Sequence, residues 1–458
     1  MNTGLTISKE ENISFYKKTF ALVMPMALQN LINVGVTAAD TVMLGYIDET
    51  AISAVSLANQ LLFILVLIVF GITSGASILN SQYWGKQNIK AIENVLAISL
   101  DFSLIISSIF TIGALFIPET LMKIYSHDPR VISLGSTYMR IVCLTYIIST
   151  ITTIYFNTLR SMERVVISTV VYGISLLINV SINAVLMFGL FNFPKLGVVG
   201  AAIGTICARV FEFAVVLYLS NKKNSYLRIV PKYLLHIDKL LLKDFIKYST
   251  PVIINEMFWG VAISTNSAII GQLSTSAAAA NAIAMVIKQL AQVISLGVAM
   301  ATAVMLGKMI GEGEKQRVKI YAGKFLRLSF VLSAISGTLI FLLRDLPAMY
   351  MKLSVEGGMY LSHMLIVLAL IFICQAMTTT MIVGVFRAGG DSKIGLIIDV
   401  VSMWCFSIPA GLIAGFVLKL DVRIVYTLLL FDEVIKIPMC VVRYRSNKWI
   451  QDVTRQII

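Results

Sequence analysis

AISAVSLANQLLFILVLIVFGITSGASILN, residues 51–80, is an apolar run well beyond the roughly 20 residues a helix needs to cross a lipid bilayer. Runs of the same kind lie at roughly 20–45, 95–117, 138–160, 166–190 and 198–220, and again at 248–271, 278–304, 325–343, 361–386, 394–417 and 424–443. The counts agree: of 458 residues 58% are hydrophobic and 13% charged, about half the ~25% charge of a soluble globular chain. Mean hydropathy is +0.86. Such a composition cannot clothe a soluble core in polar side chains. The segments are helix-sized and lack the alternation of membrane strands, which excludes a β-barrel. The reading is an all-α polytopic membrane protein of twelve transmembrane helices, with too little chain left over for a large domain outside the bilayer.

Charge placement tests that count. With the N-terminus in the cytoplasm and twelve crossings, cytoplasmic segments hold 26 of the 37 Lys and Arg residues and outer loops hold 7, with 4 inside helices. That bias follows the positive-inside rule and puts both termini in the cytoplasm. The net charge of +13 is therefore a matter of topology, and no nucleic-acid partner is expected. The basic stretch 221–247, with Lys222, Arg228, Lys232, Lys239, Lys243 and Lys247, divides a bundle at 1–220 from a second at 248–458.

The halves repeat. A shift of 226 residues places Pro25 on Pro251, Gly45 on Gly271, Gly71 on Gly297 and Gly85 on Gly311, and a shift of 227 places Arg160 on Arg387. These are residues that shape the backbone. Six helices per repeat is even, so the bundles are related by an axis along the membrane normal and face a shared cavity, a layout common in secondary transporters.

Ionisable side chains inside helices are costly, at about 3 kcal/mol each on insertion scales, so each needs a partner or a wet cavity. Seven acids (Asp40, Asp101, Glu212, Glu256, Asp399, Asp432, Glu433) stand against four bases (Arg140, Arg209, Lys288, Lys436), an excess of three negative charges that would attract cations. Asp40, in VTAADTVMLG, has no base within a helical turn and reads as an ion-binding or protonatable carboxylate; a helix-end group reaching the headgroups is the plainer alternative. Glu256, in STPVIINEMFWG, follows Pro251 by five residues and lies near Trp259, a combination suited to a cation; its alternative is a salt bridge to Lys288. Asp399 reads equally as a cavity acid or a helix-end charge. Asn266 stands at the repeat position of Asp40, and Asn30 at that of Glu256. Asn179 and Asn183 share a face at i, i+4, suited to hydrogen bonds between helices or to a wet wall. Arg209 with Glu212, and Glu433 with Lys436, read as intrahelical neutralisation.

Other chemistries find no support. A nucleotide-binding GxxxxGK[ST] loop is absent and the histidines form no HExxH motif. The five cysteines include no CxxC pair, so no metal site or disulfide framework is expected. No enzyme activity is expected either.

Taken together, Pro25, Asp40-Thr41-Val42-Met43-Leu44-Gly45, Gln82-Tyr83-Trp84-Gly85, Arg160, Pro251 with Asn255-Glu256 and Trp259, and Arg387-Ala388-Gly389-Gly390-Asp391 resemble the multidrug and toxic compound extrusion (MATE) family, over about 15 to 450. The tail DEVIKIPMCVVRYRSNKW is similar to the Gram-positive bacterial branch. The resemblance implies a V-shaped pair of six-helix bundles that exports organic cations in exchange for Na⁺ or H⁺ by alternating access. It implies a multi-pass monomer of the cell membrane, with cationic drugs and the lipid bilayer as its partners and no cofactor beyond the coupling ion. It gives Asp40 and Glu256 as coupling carboxylates, either being the place for Na⁺ if Na⁺ is the ion, with Asp399 as a possible companion to Glu256. Asn179, Asn183, Asn255, Trp259 and Asn266 would line the substrate cavity, and Pro25 and Pro251 would serve as hinges. Two positions depart from the family pattern: Asn183 replaces an aspartate, and Ala376 stands where some members carry another. A flippase for lipid-linked oligosaccharides shares this architecture, but its diphosphate would call for a basic cavity.

Overall fold

The computed structural model describes residues 8–222, 225–235, 237–347 and 353–455. Its twelve long helices are α1 (Lys9–Gly45), α2 (Glu49–Gly85), α3 (Ile89–Phe116), α4 (Pro129–Val142 with Leu144–Ser161), α5 (Val165–Phe188) and α6 (Val198–Asn221). The second set is α7 (Lys239–Leu273), α8 (Thr275–Gly311), α9 (Lys315–Leu342), α10 (Val355–Phe386), α11 (Ser392–Val417) and α12 (Val422–Leu430 with Asp432–Arg445). Among the described residues, nine are long and apolar enough to cross a bilayer on those grounds alone, and the two parts of α4, bent by 50°, make a tenth. The other two are α7, which carries Lys239, Lys243, Asp244, Lys247 and Glu256, and α12, which is broken at Phe431 into helices of 9 and 14 residues and carries Asp432, Glu433 and Lys436.

The expected linker is shorter than 221–247, because α7 is already helical at Lys239. Its first turn is capped by Asp238, whose carboxylate accepts from the amides of Leu240 and Leu241. The prolines lie inside continuous helices. Pro25 of α1 offers its carbonyl to the Thr169 hydroxyl of α5 at 3.0 Å, and Pro251 is buried within α7.

The halves exchange packing through their first helices. Phe15, Leu22, Val23 and Met26 of α1 join a core otherwise built largely from α8, α9, α10 and α12. Leu241, Phe245, Tyr248 and Val252 of α7 join the core of the N-terminal half. The close approach of α7 to α2 depends on Gly71 and Gly75, where a Cβ would collide with the backbone of Ile253 and Ser249.

On the face that carries both termini the bundles are sealed. A Cβ at Gly85 would strike the Lys308 carbonyl, and one at Gly311 would strike that of Gln82, so α2 and α8 cross backbone to backbone at repeat-equivalent glycines. The tail ties the seam shut. The Gln82 amide donates to the carbonyls of Ala388 (2.8 Å) and Gln451 (3.0 Å) and accepts from the amide of Val453, and the Trp449 side chain is fully buried. Lys308 crosses to Glu163 at 2.6 Å.

Candidate functional site

A cavity lies toward the opposite face, walled by the last turns of α1, the first turns of α2, and α4, α5 and α6. It has a volume of about 520 Å³ and mixes apolar walls (Ile32, Val36, Leu62, Phe63, Val66) with polar groups (Asn59, Gln60, Tyr138, Tyr172, Asn179, Thr205). From the other half, Gln289 of α8 reaches it.

Asp40 stands in this wall, half-buried. The Asn183 amide donates to its Oδ1 at 2.7 Å, and Asn183 is itself aligned by Asn179 Oδ1 at 3.3 Å. Asn179 in turn reaches the Thr205 hydroxyl at 3.5 Å. Helix α6 can lie this close because Gly204 faces Asn183, where any side chain would collide with the amide oxygen. Asp40 makes no ion pair among the described residues. The cavity's one arginine, Arg209, is committed to Glu212 through both carboxylate oxygens at 2.8 and 3.0 Å. Ser175 also donates to Glu212, at 2.5 Å. Glu212 is thus already paired, and Asp40 is the cavity carboxylate with no ion pair among the described residues.

The C-terminal half gathers its charges differently. Glu256 is paired, though not with Lys288: Arg387 Nη2 donates to its Oε1 at 2.8 Å, and the Arg387 side chain is 5% exposed. Arg387 follows a stretch of α10, Thr380–Phe386, whose backbone loosens to π-helical bonding. Asn255 donates to Asp399 Oδ2 at 2.9 Å. Asp399 is held by Lys436 at 3.2 Å, and the same ammonium meets Asp432 at 2.8 Å and Glu433 at 3.3 Å. Glu433 also accepts from Thr378 at 2.7 Å. Thus the pair read as local, Glu433 with Lys436, is part of a buried knot that draws in α11.

The residues expected at the site therefore separate. Asp40, Asn179 and Asn183 come together at the cavity; Asn255, Glu256 and Asp399 lie in the buried network of the other half. Trp259 packs, half-buried, against that half's apolar core, and the buried Oδ1 of Asn266 has no hydrogen-bond partner among the described residues. The sequence's charge count omits groups that the fold brings inside: Arg160, half-buried in the last turn of α4, Arg387, buried at the end of α10, and the buried acids Asp244 and Asp391. The repeat had already aligned these two arginines, a signal for an inward role.

A model of the MatE family matches residues 25–185 and 251–413. A relative named "Probable multidrug resistance protein YoeA", from Bacillus subtilis, is 23% identical over 423 residues, covering 91% of each chain. "Probable multidrug resistance protein NorM" of Thermotoga maritima is 22% identical, over 97% of this chain and 95% of its own. A solved structure described as the outward-facing conformation of a multidrug resistance MATE family transporter has a TM-score of 0.85 at 19% identity, covering 94% of this chain and 96% of that one. The family match takes in well over half of the chain, in two stretches that begin 226 residues apart: this protein belongs to the multidrug and toxic compound extrusion family.

Proposed function

We propose that the protein is a multidrug efflux transporter, a secondary active antiporter that exports organic or lipophilic cations in exchange for Na⁺ or H⁺. The observation that carries this is Asp40: one carboxylate oxygen steadied by Asn183, no ion pair among the described residues, and a cavity of about 520 Å³ in front of it. Aromatic and apolar walls suit a flat lipophilic cation, and one carboxylate supplies the charge. The relatives' names as multidrug resistance proteins support the substrate class.

Coupling follows if the inward ion and the outgoing drug compete for Asp40, or prefer different states of the two halves. The sealed face would be cytoplasmic, with both termini there and the protein in the cell membrane, so that the cavity opens outward in this state. Alternating access then requires the α2–α8 crossing and the tail to part. Pro25 and Pro251 mark where α1 and α7, the helices shared between the cores, would flex. Glu256 and Asp399 enter the coupling only in a state where Arg387 and Lys436 release them. The arrangement disfavours an oligosaccharide-diphosphate substrate, since Arg209 is neutralised within its own helix.

The test is ethidium efflux from proteoliposomes under separately imposed Na⁺ and pH gradients, with wild type, Asp40→Asn and Glu256→Gln. Asp40→Asn should lose gradient-driven efflux. Wild-type rates in that variant under both gradients would remove Asp40 from the mechanism.

A further inference from the structure

We propose a second binding site, for one chloride-sized monovalent anion, in a small cavity on the seam between the halves, with Arg160 as its principal ligand. The cavity has a volume of about 30 Å³, above the roughly 10–15 Å³ that one water needs and small for a phosphate or an organic acid. Its lining is built from repeat partners: Ser74 with Met300, Ser77 with Ala303 and Ile78 with Val304 at the 226-residue shift, and Arg160 with Arg387 at 227. The cavity therefore lies on the pseudo-twofold axis, beside the α2–α8 crossing that seals the termini-bearing face.

The two arginines are not in the same position electrostatically. Arg387 has Glu256 as its counter-charge and also donates to the Ser74 hydroxyl at 2.7 Å. Arg160 has no carboxylate. Its guanidinium donates to the Asn157 side-chain oxygen and to the Met300 sulfur at 3.4 Å, and it forms no ion pair among the described residues. The residue at the repeat position of Glu256 is Asn30, which carries no charge. The N-terminal half has kept the base and lost the acid.

A guanidinium cannot shed its proton to escape burial, and an uncompensated charge in a protein interior is strongly unfavourable. The lining offers donors and no acidic side chain. Ser74 accepts from Arg387, so its own hydroxyl hydrogen is free to turn to an anion. Two guanidinium groups and a hydroxyl around a site of this volume select a small anion over a cation. Held there, it would bridge the halves and favour the state in which this face is closed, whatever the protein transports.

The experiment is thermal unfolding of the purified full-length protein in detergent, titrated with sodium chloride against sodium gluconate at matched sodium and ionic strength. Chloride and bromide should raise the midpoint by several degrees in a saturable way, gluconate should not, and Arg160→Gln should respond equally to both salts. Equal midpoints for wild type in the two salts would overturn the site, as would a saturable chloride response that survives in Arg160→Gln. Because that variant can fail to fold, crystals of the wild-type protein grown in bromide supply a second reading. An anomalous peak at hydrogen-bond distance from the Arg160 guanidinium is expected, and a cavity without one would equally defeat the proposal.

Discussion

The two halves descend from one repeat, yet they treat intramembrane charge in opposite ways. In the N-terminal half, Asp40 meets an amide and a cavity. In the C-terminal half, Glu256 and Asp399 meet bases, Arg387 and Lys436, at 2.8 and 3.2 Å, with side chains 11% and 12% exposed. A carboxylate that already holds a tethered cation has little need of a mobile one. The difference teaches that an acid in a membrane helix signals function only once its partner is known: the same residue type can be a port for ions or one side of an internal brace.

The largest expected effect is on the brace. Lys436→Gln would leave Asp399, Asp432 and Glu433 crowded without the ammonium they share. Breaking a buried ion pair from one side costs about 3–5 kcal/mol, so the variant should unfold at markedly lower temperature or denaturant than wild type. A loss under about 1 kcal/mol would mean that the knot is wet and that the two halves treat their carboxylates alike.

Next comes the reciprocal comparison of Asp40→Asn with Glu256→Gln. The first should lower gradient-driven efflux by about 100-fold, equivalent to roughly 2.7 kcal/mol, with little change in unfolding, because Asp40 has no charged partner to strand. The second should do the reverse: it strands Arg387, lowers stability, and leaves the folded fraction still responsive to a gradient. If the folded Glu256→Gln protein lost its gradient response while its melting curve stayed at the wild-type position, the roles of the halves would be exchanged. A smaller effect is expected from Asn183→Leu, which removes the donor that steadies Asp40. A hydrogen bond to a charged group contributes about 1.5–3 kcal/mol, and efflux should fall by about tenfold.

The fold could be read from the sequence because a bilayer demands apolar runs of a set length, and all twelve runs correspond to helices. Their ends were harder. KLLLKDFIK, residues 239–247, falls outside the apolar run of α7 because it is amphipathic and charged, and a search for apolar runs passes over it. The 50° bend of α4 comes at Cys143 with neither proline nor glycine to announce it. At the site, Asp40 was legible because an unpaired acid is conspicuous in VTAADTVMLG. The pairings of Glu256 with Arg387 and of Asp399 with Lys436 were not, because these partners lie far apart in the chain. Spacing reveals only partners a turn away, such as Glu433 and Lys436, and so it showed the edge of the knot without its centre.

The smallest effect belongs to a charge pair that lies in water. Lys86, after α2, meets Asp452 of the tail at 2.9 Å, with side chains 38% and 36% exposed, and so links the halves from outside. Burial raises the Asp452 carboxyl, but hydrogen bonds from Thr454 and Lys86 outweigh it and hold the group below the usual aspartate range. A depressed folded value means that the stabilisation is present above the unfolded value of about 4 and is lost as pH falls through the folded one. Solvent screening limits this pair to at most about 1 kcal/mol. Lys86→Ala should therefore lower stability only slightly at neutral pH, and the gap from wild type should close on acidification. Urea titrations at several pH values measure both quantities. A gap as large as that of Lys436→Gln would show that the sealed face contributes as much to stability as the buried knot inside the C-terminal half.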